Sequence, residues 1–348
     1  MNDTTHVTTV AALLRETATA ERAGERAQAR VREVQALLGD DLAVVDAELA
    51  RQTRAGCAPG TDAATHLLEA GGKRVRPLTV LLAAACFGPV PAPARDLAVA
   101  AELVHLATLL HDDVIDDGQD RRGRPTSRRI WGNAVSVLAG DLLLTHALER
   151  TAAVAPRGVL LDLFATLRRL VDGEIVQLRG RARLDPSEEV YFRVVEGKTA
   201  SLFAWAARAG GAIAGASAEA VEGLGAFGAG VGMAFQLVDD VLDYAGDPSA
   251  TGKALLGDLS EGKLTLPLLR AIALRPGLLA QVEAVRAGDS RAAARVAEEV
   301  LAAGVCDGIR ALARSETERA VAALGAVPAG IPRDLLASIA SELAARVR

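Results

Sequence analysis

Two stretches of the chain carry carboxylates at a spacing that can do chemistry. The first is His111-Asp112-Asp113-Val114-Ile115-Asp116-Asp117, closing a segment, 97–110, that is almost wholly apolar. The second is Phe235-Gln236-Leu237-Val238-Asp239-Asp240-Val241-Leu242-Asp243, again after an apolar, Gly-rich run and just before Gly246-Asp247-Pro248. On a helix, acids at i and i+4 project from one face. At a helix C-terminus the backbone dipole is already negative, so such acids cost stability unless a cation neutralises them. A single cluster is as well explained by a solvated helix end as by a metal site. Two of them, each ending a buried helix, are hard to explain that way. Facing carboxylate pairs make a cage for Mg²⁺, a hard ion that keeps several waters and takes its remaining ligands from a substrate phosphate.

The basic residues supply the complement. Gly71-Gly72-Lys73-Arg74-Val75-Arg76-Pro77 sets Lys73 and Arg76 three apart behind two glycines, and Arg121-Arg122 follows the first acidic cluster directly. Glu196-Gly197-Lys198-Thr199 and Thr251-Gly252-Lys253 add two Gly-Lys pairs. Arg offers a planar fork to phosphate oxygens and Lys a mobile point charge. Any one of these could be a basic residue snorkelling at a helix end. All of them beside two acidic arrays point to anion binding.

The elements that must position these groups follow from composition and periodicity. Of 348 residues, 50% are hydrophobic and only 3% aromatic, which favours packed helices over sheets. Apolar residues recur at helical spacing near 25–55, 61–71, 75–86, 94–117, 133–152, 158–179, 187–196, 198–213, 217–244, 263–273, 289–302, 305–322 and 333–347, with short Gly/Pro punctuation between them. No alternating strand pattern and no linker interrupts them. The expected fold is therefore all-α, a single large helical domain over 25–348 after a flexible extension over 1–24.

Lys and Arg total 39 against 44 Asp and Glu, a net charge of -5, so no global basic field exists to hold nucleic acid or an anionic membrane. Phosphate binding must be local. Cys57, Cys86 and Cys306 lack any CxxC spacing, which argues against a disulfide framework or a zinc site and fits a reducing compartment. They are expected to be small buried apolar residues. No transmembrane run and no secretory signal is expected, and the compartment these features imply is the cytoplasm.

Taken in order, GGKRVRP, HDDVIDD with its trailing RRGRPT, WGNAVSVLAGDLLL, GEIVQL, EGKTASLF, FQLVDDVLDY, GDPSATGK and GDLSEGKLTLPLL resemble the trans-isoprenyl diphosphate synthases, the polyprenyl synthetase family, over roughly 65–270. Within that family it resembles the long-chain heptaprenyl and octaprenyl diphosphate synthases. The resemblance implies a bundle of mostly antiparallel helices around a deep central cavity, with the two acidic arrays facing each other across its mouth, and a homodimer. It also implies the reaction: an allylic prenyl diphosphate ionises with the help of Mg²⁺ and is condensed head to tail with isopentenyl diphosphate. The released diphosphate can take the proton, so no dedicated protein base is required. A peripheral membrane contact would serve product release.

By the same resemblance, Asp112, Asp116 and Asp239 would hold Mg²⁺, with Asp113, Asp240 and Asp243 bridged through water or in support. Lys198 joins those three as a catalytic group. Arg121, Lys198, Thr199, Gln236, Lys253 and Lys263 would hold the allylic diphosphate. Lys73, Arg76, His105 and Arg122 would hold isopentenyl diphosphate; His105 lies two helical turns before Asp112, near the same face. His111 is left without a role, and His6, His66 and His146 have no supporting context.

Product length in this family depends on side-chain bulk below the first array. One turn before Asp112 stand Ala107 and Thr108, then Leu103 and Val104, then Ala100 and Ala101, with no aromatic stop. Each turn of about 5.4 Å admits roughly one more isoprene unit. The expected product is thus long, about C30 to C50, with a geranylgeranyl (C20) product as the alternative. Phe164 is a candidate distal floor, or ordinary core. A terpene cyclase would not need a second diphosphate site and would not carry DDVLD, and a non-catalytic subunit would have lost its arrays.

Overall fold

Several helices begin where the sequence offers a side-chain acceptor. Ser187 and Ser217 accept the backbone N–H groups of Val190 and Ala220, and Asp289 accepts those of Arg291 and Ala292. The structure, a computed structural model, describes residues 21–184, 186–246 and 256–345. In chain order the elements are α1 (Glu21–Thr53), α2 (Gly60–Glu69), α3 (Val75–Ala85), α4 (Ala92–Ile115), a hairpin of β1 (Asp120–Arg121) and β2 (Arg124–Pro125), α5 (Ser127–Trp131), α6 (Asn133–Val154), α7 (Arg157–Arg183) and α8 (Glu188–Val195). A π-helical turn (Glu196–Ala200) leads into α9 (Ser201–Ile213). Then follow α10 (Ala218–Ala245), α11 (Gly257–Ser260), α12 (Leu266–Leu274), α13 (Leu278–Arg286), α14 (Ser290–Ala302), α15 (Val305–Ala322) and α16 (Ile331–Ala345).

The expectation of an all-α architecture holds. Helix α4 packs along α6 and α3, and α10 along α9 and α15. Leu, Val and Ala fill the space between them, with Trp205 and Phe203 the largest fully buried side chains. The two longest apolar helices of this core, α4 and α10, are the ones that end in the acidic arrays.

Several local expectations need correction. The hairpin escaped notice because two residues per strand are too few to show alternation; Asp120 pairs with Pro125 and Arg121 with Arg124. Its two turn residues, Arg122 (φ 52°) and Gly123 (φ 73°), are both left-handed, as two-residue hairpin loops favour. The short helices α5 and α11, and the longer α13, were also unforeseen, and α1 begins at Glu21, inside the segment expected to be an extension. Cys57 is exposed rather than buried, while Cys86 and Cys306 are partly buried, and all three are free thiols. Helix α10 is long and apolar enough to cross a membrane, where no such run was expected; 56% of its apolar window is buried inside the protein.

Candidate active site

At the end of α4 each functional carboxylate meets a cation from a different element. Asp116 accepts from Arg181 of α7 at 2.5 Å and lies 2.9 Å from Lys263 Nζ, which arrives from the segment between α11 and α12. Asp112 lies 3.3 Å from Lys198 Nζ, and that ammonium also contacts Glu174 of α7. Asp113 is buried and accepts from Arg121 on the hairpin, with Nε at 2.9 Å and Nη2 at 2.8 Å. The acids that a helix C-terminus disfavours are thus neutralised by three long, flexible cations and one hairpin arginine.

The electrostatics follow from this pairing. Burial works against the Asp116 carboxylate, but Lys263, Lys198 and Arg181 outweigh it and hold its pKa below the ordinary value. Burial raises that of Asp113, with Asp112 and Asp116 adding to it and Arg121 opposing. Burial likewise raises that of Glu174. Burial opposes the charge on Lys198 and Lys263, yet their carboxylate neighbours raise both.

Lys198 owes its place to backbone contact between two helices. A Cβ on Gly173 would lie 3.0 Å from the Lys198 nitrogen, and one on Gly197 would lie 2.7 Å from the Arg169 carbonyl oxygen. Only glycines let α7 and the π-helical turn approach so closely, and that approach sets Lys198 against Glu174. Single π-turns of this kind recur at functional positions.

The second array is held differently. Asp240 is 2% exposed; Tyr191 donates to one of its oxygens at 2.6 Å and Gln236 to the other at 2.8 Å. Burial, with Asp258 and Asp239 nearby, pushes its pKa up to about 8 against those two donors. Thr199 donates to the Gln236 carbonyl oxygen at 3.0 Å. Asp243 accepts the backbone N–H groups of Gly257 and Asp258 at 3.0 and 3.3 Å and so caps α11. Asp239 is half-buried on the same helix. Lys263 links the two regions, since it faces Asp116 at 2.9 Å while lying 3.8 Å from Asp258 and 2.5 Å from Glu261.

A separate basic cluster forms at the start of α3. Arg76 lies over the Phe203 ring, 4.6 Å from its centroid, and its buried Nε has no hydrogen-bond partner among the described residues. Burial pushes the pKa of Arg76 down to about 10, with Arg122 adding to the effect and Glu102 opposing it. Burial, then Arg121 and Arg74, also lowers that of Arg122. His105 is kept neutral by burial and by Arg76, Arg122, Arg121 and Arg74. Against these cations stands Glu102, 2% exposed and bound to Arg74 at 2.8 Å; Arg74 also reaches Asp46 at 3.3 Å. The hairpin turn therefore divides its arginines, Arg121 facing the first array and Arg122 the basic cluster.

Other singled-out residues fall as follows. Lys73 is half-buried beside the cluster, and Lys253 lies outside the described residues. Thr108 is half-buried on the face that also carries His105 and Asp112, whereas Ala107 is 2% exposed and enclosed in the main core. Phe164 is not ordinary core, because it is 46% exposed on α7. His111 bonds to the Val137 carbonyl oxygen at 3.1 Å and lies 3.3 Å from Asp141, and His66 bonds to that of Pro125 at 2.8 Å.

Sequence reasoning missed Glu174, Arg181, Glu102, Arg74 and Tyr191. Three of them left a signal, Arg74 by standing within the Gly71–Pro77 motif. Glu102 is a lone acid inside an apolar helical run, and Glu174 adjoins Gly173 in a motif already singled out.

Among the described residues, no three carboxylate, imidazole or thiol groups converge on one point. The donors offered are hard carboxylate oxygens, those of the first array paired with ammonium and guanidinium groups. That set fits a divalent ion of the Mg²⁺ or Ca²⁺ type, which takes much of its shell from water and phosphate.

The comparisons agree with this architecture. The family model "Polyprenyl synthetase" matches residues 60–302, and the chain belongs to that family of prenyltransferases. It is 42% identical over 244 residues to heptaprenyl diphosphate synthase component 2 of Geobacillus stearothermophilus, covering 70% of this chain and 76% of that one. It is 36% identical to octaprenyl diphosphate synthase of Escherichia coli, covering 87% and 95%. A crystal structure of a polyprenyl synthase from Caulobacter crescentus, complexed with calcium and isoprenyl diphosphate, superposes with a TM-score of 0.86 at 36% identity, covering 91% and 98%.

Proposed function

We propose that this prenyltransferase condenses an allylic prenyl diphosphate with isopentenyl diphosphate head to tail and releases a long-chain all-trans polyprenyl diphosphate of about C30 to C50. The observation that carries it is the pairing of two unlike anion sites. The first is a carboxylate array populated by Lys198, Lys263 and Arg181. Beside it lies an arginine cluster in which the buried Nε of Arg76 has no partner among the described residues. One site suits a metal-bound leaving diphosphate and the other a diphosphate that stays on its substrate.

Lewis-acid help to the departing diphosphate is what a divalent ion, Mg²⁺, supplies when Asp112, Asp116 and Asp239 hold it. Lys198 and Lys263 turn from carboxylates to diphosphate oxygens, keeping charge on the leaving group balanced. Arg76, Arg122 and Lys73 grip isopentenyl diphosphate, and the neutral His105 adds a hydrogen bond. In this low-dielectric setting each aimed charge counts for more than in water. The isopentenyl double bond attacks the allylic cation, and the released diphosphate takes the proton.

The long product rests on α4, where Thr108 and the turns below it carry no aromatic ring, and on the long-chain names of the relatives. Chromatography of products made by the purified chain from farnesyl diphosphate and isopentenyl diphosphate tests the assignment. Products of C30 or longer support it, and a C20 end point overturns the length.

A homodimer completes the proposal. Val137 and Leu138 on α6 and Leu161, Phe164, Val171 and Ile175 on α7 are exposed apolar residues on neighbouring helices, a face that a second copy would cover. Phe164→Asp should then sediment as a monomer, and an unaltered dimer would remove this interface. The relative named component 2 favours a second reading, in which the chain needs a different partner. Turnover by the purified chain alone decides against it.

A further inference from the structure

We propose that Tyr191 is a positioning residue for this reaction: its hydroxyl fixes, through Asp240 and Gln236, the direction in which the Thr199 hydroxyl points. The inference rests on the functional reading above. Tyr191 sits on α8, 7% exposed, and donates to Asp240 Oδ2 at 2.6 Å. The other oxygen of Asp240 accepts from Gln236 Nε2 at 2.8 Å, and Gln236 Oε1 accepts from Thr199 Oγ1 at 3.0 Å. Three hydrogen bonds thus run from α8 through the last turns of α10 to the π-helical turn.

The chain has a polarity. An amide has one donating end and one accepting end, and a hydroxyl has a single hydrogen. With the Gln236 amide nitrogen turned to Asp240, its carbonyl must face Thr199. The Thr199 hydrogen is then committed to Gln236, and only oxygen lone pairs remain for its other side. Thr199 follows Lys198, whose ammonium lies between Asp112 and Glu174, where the proposed mechanism has the diphosphate depart. An oxygen that can only accept favours an allylic carbon gaining positive charge, whereas a hydroxyl hydrogen aimed there would oppose it. Reversing Gln236 would reverse Thr199.

As a carboxylate, the form that a divalent cation held by the neighbouring Asp239 would favour, Asp240 can only accept and so prevents that reversal, and Tyr191 holds Asp240. The carboxylate is 2% exposed, so water cannot replace the phenol if it is removed. A carboxylate oxygen freed of Tyr191 would compete for the Gln236 amide in a new geometry, and the terminal Thr199 would lose its fixed orientation. Tyr191 touches neither reacting group, so its effect must pass through the chain.

The test uses the full chain with Mg²⁺. Tyr191→Phe keeps the ring and its edge-on packing against Phe192, whose centroid is 5.2 Å away, and removes one oxygen. The change should lower kcat about tenfold, the scale of one hydrogen bond in a buried network. The KM for isopentenyl diphosphate and the Kd for an unreactive allylic thiolodiphosphate, read by calorimetry, should stay within about twofold, because the lost interaction belongs to the transition state. In a Thr199→Val background Tyr191→Phe should cost nothing more, while in a Thr199→Ser background it should again cost about tenfold. Multiplying losses in the Val background, weakened binding of the analogue, or an unchanged kcat for Tyr191→Phe would each overturn the inference while leaving the enzyme class intact. A wild-type chain that makes no prenyl product would overturn both.

Discussion

The ends of α4 and α10 carry the same DDxxD pattern, yet the protein holds them in opposite ways. At α4 the partners are Lys198, Lys263, Arg181 and Arg121, charges on long side chains that can turn to another anion. At α10 Asp240 accepts from a phenol and an amide, and Asp243 accepts from two backbone N–H groups among its contacts, neutral donors fixed by the fold. In the proposed mechanism the first array exchanges these partners during turnover. In the second, Asp240 and Asp243 accept from groups that the fold fixes, and Asp239 is half-buried on the same helix. Identical spacing thus yields an exchangeable site at one helix end and a braced one at the other.

The strongest way to break this contrast is to remove metal. With EDTA turnover should fall to background, because carboxylates would otherwise face a diphosphate with only side-chain cations between them. Product formation that persists would mean that Lys198, Lys263 and Arg181 suffice alone.

Next in size is Asp112→Ala, which should lower kcat about 10²- to 10³-fold, the effect of deleting one preorganised electrostatic group, with little change in melting temperature. Retention of more than a tenth of wild-type kcat would sink the ligand assignment.

Asp240→Ala should show the reverse emphasis. It leaves the Tyr191 hydroxyl and the Gln236 amide buried without an acceptor, at about 1–3 kcal/mol for each unsatisfied group. The melting temperature should fall by about 4–8 °C. If Asp112→Ala and Asp240→Ala melt alike, the exchangeable and braced descriptions do not distinguish the arrays.

The smallest effect is on pH dependence, measured by thermal melts in EDTA. Asp240 has its folded pKa raised to about 8, so the folded chain keeps a proton that the unfolded chain gives up, and rising pH between about 4 and 8 favours unfolding. Asp116 works the other way: its lowered folded pKa contributes stability that is complete above the ordinary carboxylate value and lost as pH falls through the folded one. Asp240→Asn should flatten the decline between pH 4 and 8 whatever its mean stability, by a few degrees. An unchanged slope would mean that Asp240 is ionised throughout.

Much of the site was legible because its signals are local. Acids at i and i+4 ending an apolar run, glycines before Lys73, and Arg121-Arg122 after the first array are relations between near neighbours, which helix and turn geometry fixes. Apolar periodicity likewise fixed the fold class, since 3.6-residue spacing with few aromatics leaves no sheet to build. Local geometry also decided how the hairpin presents Arg121 and Arg122, although strands of two residues gave no alternation by which to see it.

Only tertiary structure decided the partners. Arg181 reaches Asp116 across 65 positions and Tyr191 reaches Asp240 across 49, and neither spacing has a pattern that a single sequence displays. The same limit explains Phe164: periodicity showed that its face of α7 is apolar, but whether that face meets the core or the outside depends on which neighbours pack there. Charge and spacing determined that two carboxylate arrays and several anion-binding cations must meet. Which array is bound by exchangeable cations and which by fixed dipoles was settled by the close approach of Gly173 to Gly197 and the burial of Asp240, because contact and desolvation arise only when distant segments pack.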